Sequence, residues 1–62
     1  MKAITLNVKL TDNEAWQLAQ FVKRITFSAV KDHAENDENA HTMLYALDQI
    51  KGALAQQGYA PQ

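Results

Sequence analysis

The sequence predicts a mainly α protein with one N-terminal β-strand, a β-α-α chain. The strand pairs across a homodimer, and two amphipathic helices form a shared core. Three observations predict this. Residues 3 to 10 alternate apolar and polar with period two. A capping sequence then opens a helical apolar stripe. A second stripe at helical spacing fills the C-terminal half and ends on Gly58 and Pro61.

In the strand, about residues 3–10, Ile4, Leu6, Val8 and Leu10 share one face, and Ala3, Thr5, Asn7 and Lys9 share the other. A lone strand cannot satisfy its backbone, and no second strand is visible in the chain. The same strand of another copy is therefore its expected mate. With Ile4, Leu6, Val8 and Leu10, Leu47 and Leu54 are the candidate dimer-interface residues.

The first helix, about 12–27, starts at Thr11-Asp12-Asn13-Glu14, which reads as a capping box with acidic residues at the positive end of the helix dipole. Ala15, Leu18, Ala19, Phe21, Val22, Ile25 and Ala29 form its stripe. Trp16 lies nearly opposite, and packs against the second helix, against a dimer mate, or in a partner's pocket. The β-branched and aromatic run Ile25-Thr26-Phe27-Ser28 weakens the helix, and a short turn or helical piece through Lys31 follows. The polar, acidic joint spans about 28–36 and leads to a cap at Asn36 or Asp37.

The second helix, about 37–57, carries Ala40, Met43, Leu44, Leu47, Ile50 and Leu54. Gly58 suits the left-handed position after its end, Tyr59 can fold back on Leu54, and residues 58–62 form a tail. Gly52 inside it marks either a close helix approach or a tolerated cost of about 1 kcal/mol.

Sixty-two residues make a single domain. A chain this short buries only about 60% of its unfolded surface, so it ordinarily needs help from disulfides, metals or oligomers. It has no cysteine, which fits a reducing compartment. The start Met1-Lys2-Ala3-Ile4 alternates, unlike a signal peptide, and no apolar run reaches the roughly 18 residues of a membrane span. A cytoplasmic location, with no membrane contact, is expected. Charge is segregated: five basic against two acidic residues up to Lys31 give +3, and one basic against five acidic from Asp32 onward give −4.

No chemistry is legible. His33 and His41 straddle the joint beside Asp32, Glu35, Asp37 and Glu38, but match no recurrent zinc or calcium spacing. No nucleophile elbow or phosphate-cradling loop occurs, and the domain is thin for a substrate pocket. The expectation is no catalytic residue, no metal, no cofactor and no small-molecule substrate.

Two binding classes remain. The strand followed by Leu10-Thr11-Asp12, Ala15-Trp16 with Leu18-Ala19-Gln20-Phe21, Phe27-Ser28, the acidic joint, and Ala55-x-x-Gly58-Tyr59-Ala60-Pro61 together resemble a family of uncharacterised short bacterial and phage proteins. That resemblance runs end to end. It implies a context in which small mobile-element proteins modulate a host machine, for example a defence complex, by stoichiometric binding. Trp16, Phe27 and Val30, projecting from the first stripe, with Asp32, Glu35, Asp37 and Glu38 beside them, are the candidate partner-binding residues. The alternative is DNA. Strand, capped helix and second helix, over about the first 25 residues, resemble ribbon-helix-helix repressors, which would put Thr5, Asn7 and Lys9 in the major groove. Against it stand a long joint, the acidic start Asn36-Asp37-Glu38, and a net charge of −1.

Overall fold

The computed structural model describes residues 2–61. Among them there are three helices, α1 (Asp12–Arg24), α2 (Phe27–Lys31) and α3 (Asp37–Gln56), and no strand. The predicted β-α-α fold with a ribbon across a homodimer is thereby corrected to an all-helical fold preceded by an arm, residues 2–10, without regular secondary structure. The physical reason is the one that made the strand problematic. Alternation distributes apolar side chains, but a ladder needs a second backbone, and the described residues offer none.

α1 begins where the capping box places it. The Glu14 amide donates to Thr11 Oγ1 (3.1 Å), and the Thr11 amide donates to Glu14 Oε1 (2.8 Å). It ends earlier than expected. Ile25 adopts ψ 136° and Thr26 ψ 160°, so two extended residues break the helix. Thr26 caps α2 by accepting from the Ala29 amide at 3.2 Å. The first part of the expected joint is thus helical.

Asn36 caps α3 through the Asn39 amide, 2.8 Å. At the other end the Gly58 amide donates to the Ala55 carbonyl (3.0 Å) and the Tyr59 amide to the Leu54 carbonyl (2.9 Å). Gly58 has φ +96°. This is the full Schellman pattern, with Tyr59 folded onto the core beside Leu54. Gln62 of the expected tail, like Met1, lies outside the described residues.

α1 and α2 each pack on α3, which serves as the common support. Ala15, Ala19, Val22 and Leu54 form the main buried cluster, flanked by Leu18, Leu47 and Tyr59, while Val30 and Ala40 are buried elsewhere in the chain. Three expected core positions, Phe21, Met43 and Ile50, move outward. Phe21 lies one residue before Val22, about 100° round the helix from its buried face, and is 55% exposed. The single stripe read on α3 is in fact two, with Ala40, Leu44, Leu47 and Leu54 inside and Met43 and Ile50 outside.

The result is a thin core. Accessible surface is 5431 Å², against about 4,000 Å² for a compact monomer of this 7.0 kDa mass. The radius of gyration is 12.5 Å, where about 10.5 Å is usual for this length.

Candidate functional site

The arm carries the most conspicuous surface. Ile4 is 76% exposed, Leu6 72%, Val8 67% and Leu10 42%. These four apolar side chains lead into Thr11, whose capping box fixes the base of the arm against α1. A run of exposed large hydrophobes on so small a chain is the ordinary signature of a binding surface. Thr5, Asn7 and Lys9 are exposed as well, but the ribbon on which they would enter a groove is not formed.

The start of α1 is tied to the residues that follow α3. The Tyr59 hydroxyl donates to Asp12 Oδ1 at 2.7 Å, and the Tyr59 ring meets Trp16 edge-on with centroids 5.0 Å apart. Trp16 sits one helical turn after Asp12, so Tyr59 reaches both from the end of α3. Of the readings open for Trp16, the structure takes packing within the chain, leaving the indole partly exposed. Nothing in the sequence signals this tie, because its partners are 47 residues apart. The hydrogen bond to Asp12, then desolvation and the negative charge of Asp12, push the Tyr59 hydroxyl above the usual tyrosine range. Thr11's amide, then its hydroxyl, hold the Glu14 carboxyl below the ordinary carboxylate range, against a smaller opposing desolvation.

The other candidate residues divide. Val30 is buried and Phe27 is half-buried against His41, ring centroids 4.7 Å apart. Val30 is therefore not available to an exposed surface. Leu54 lies in the chain's own core and Leu47 packs on it, so the structure gives both an intramolecular role. Asp32, Glu35, Asp37 and Glu38 are all exposed. Lys31 Nζ lies 3.1 Å from Asp37 Oδ1, an ion pair across the joint that is too solvated to count for much. The joint therefore keeps an acidic face.

Sequence reasoning missed the open depression between α1 and α2, lined by Gln17, Phe21, Arg24, Ile25, Ala29 and His33. Phe21's place one residue off the Ala15–Ala19–Val22 row was the available signal. Among the described residues no three His, Asp or Glu side chains gather as metal ligands, and no helix is long and apolar enough to cross a membrane.

The model of a protein family described as "Family of unknown function (DUF7706)" matches residues 1–62. No curated protein matches the chain significantly. No solved structure does so either.

Proposed function

We propose that this chain, which belongs to the DUF7706 family of unknown function, is a small non-enzymatic module that binds another protein stoichiometrically and so modulates it. The observation that carries this reading is the exposed row Ile4, Leu6, Val8 and Leu10. Large apolar side chains held in water are unfavourable unless something covers them, and the chain itself covers only about a third or less of Ile4, Leu6 and Val8. The surface in excess of a compact monomer's, roughly 1,400 Å², exceeds the ~800 Å² that one side of a standard interface contributes. Lys2 and Lys9 on the arm, and Asp32, Glu35 and Glu38 on the joint, supply charges of both signs for steering a partner.

The DNA alternative rests on a two-stranded ribbon, and the described residues contain no strand. The protein reading is the one the surface favours.

A photo-crosslinking side chain placed at Leu6 tests it. The expected result is one defined protein joined to the chain, and its purified form binding at one-to-one stoichiometry. In the variant Leu6→Ser/Val8→Ser, each loss removes about 1.5 kcal/mol or more of apolar burial, so affinity falls about 100-fold or more. A crosslink to duplex DNA instead, or a double variant that binds its protein as tightly as before, overturns the proposal.

A further inference from the structure

We propose that the outer face of α3 is an antiparallel seam between two copies of this chain. The face consists of Asn39, Met43, Ala46, Ile50 and Ala53, with Gln57 as the residue capping the helix end, at successive spacings of four, three, four, three and four residues. That alternation is the heptad rhythm of helices packing knobs into holes. Within the chain the face is only partly covered: Met43 is 39% and Ile50 37% exposed, and Ala46 and Ala53 are exposed too. The chain's own packing uses a different side of the helix, Ala40, Leu44, Leu47 and Leu54.

A second copy is singled out because the stripe is its own complement. A two-fold dimer requires a surface that matches itself after rotation. Its spacings read the same in both directions, so an antiparallel mate places Ile50 opposite Ala46, Met43 opposite Ala53, and Asn39 opposite Gln57. Each large side chain then faces a small one, which lets the helices approach closely, and the polar amides close the two ends. No charged residue lies on the stripe. Asp48 is turned to the opposite face by helical geometry, and Lys51 points toward Ala19 and Lys23. The seam uses no residue of the arm, so it stands or falls independently of the proposed partner binding.

The test is mass in solution by sedimentation equilibrium. Wild type is expected at the mass of two chains, and Ile50→Glu at the mass of one, with helicity retained. Ala53→Glu, at a position already exposed, gives the same halving should Ile50→Glu fold poorly. Tyr45→Glu, on another side of α3, stays at two. Because the chain lacks cysteine, mixed A46C and I50C copies report register: the antiparallel seam makes A46C–I50C disulfides outpace A46C–A46C. A wild type at the mass of one chain overturns the proposal. So does a dimer that survives both Glu substitutions, one dissolved by Leu6→Ser instead, or faster A46C–A46C pairing.

Discussion

Two leucines of identical chemistry occupy opposite situations, and the same truncation separates them. Leu54 is 7% exposed and packs among Ala15, Ala19, Val22 and Tyr59. Leu6 is 72% exposed. Leu→Ala at a buried site costs about 2–5 kcal/mol. Full burial of a leucine is worth about 1.5–3 kcal/mol, so Leu6, with about a quarter of its surface covered, contributes less than about 1 kcal/mol. A chain of this length has a total stability of only about 3–9 kcal/mol. Leu54→Ala therefore removes a large share of it, and Leu6→Ala very little. Urea unfolding, followed through Trp16 fluorescence and helical circular dichroism, checks this. With a slope near 1 kcal/mol per molar urea, Leu54→Ala lowers the midpoint by about 2 M or more and Leu6→Ala by less than about 1 M. Equal shifts would refute the reasoning, because the arm would then be buried in the isolated protein.

The two glycines give opposite signs. Gly58→Ala puts a side chain at φ +96° and destabilises by about 1 kcal/mol, while Gly52→Ala, whose new methyl meets nothing, stabilises by about 0.5–1 kcal/mol. In thermal melts each kcal/mol corresponds to about 4–8 °C for so small a domain. Thr11→Ala removes the cap of α1 and costs about 0.5–2 kcal/mol, visible in the same melts. For Tyr59 the folded state raises the hydroxyl's pKa. Its contribution is therefore fully present below the ordinary tyrosine value of 10.0 and is lost as pH climbs through the higher folded one. Wild type should weaken more steeply than Tyr59→Phe in alkaline urea titrations, and parallel curves would contradict the tie to Asp12. Glu14 carries the reverse sign. Its depressed pKa stabilises above the ordinary 4.5 and the benefit disappears on acidification, so Glu14→Gln should flatten the acid limb.

Local signals were legible wherever one or two turns of chain contain them. The Thr11–Glu14 box, the Asn36 cap and the Gly58–Tyr59 ending all form as their residues indicate. Distant relations were not legible. Tyr59 reaching Asp12 and Trp16 depends on how α1 lies on α3, and no spacing encodes that. Periodicity also overstated the strand, since Ile4 to Leu10 alternate whether or not a mate exists to complete a ladder. On α3, a pattern wide enough to cover two faces read as one stripe, and only packing separated Leu47 and Leu54 from Met43 and Ile50. Of the candidate surface Trp16–Phe27–Val30, Val30 is buried, because the short helix capped by Thr26 turns it inward, which the expected turn or helical piece through Lys31 did not specify.

Amide hydrogen exchange over residues 2–10 is the most direct test of the binding arm, measured on the isolated chain and again with its crosslinked partner protein. Exchange at the rate of an unstructured peptide when free, slowed at least tenfold when bound, is the expected result. Protection already present in the free chain, or none gained in the complex, would contradict the account.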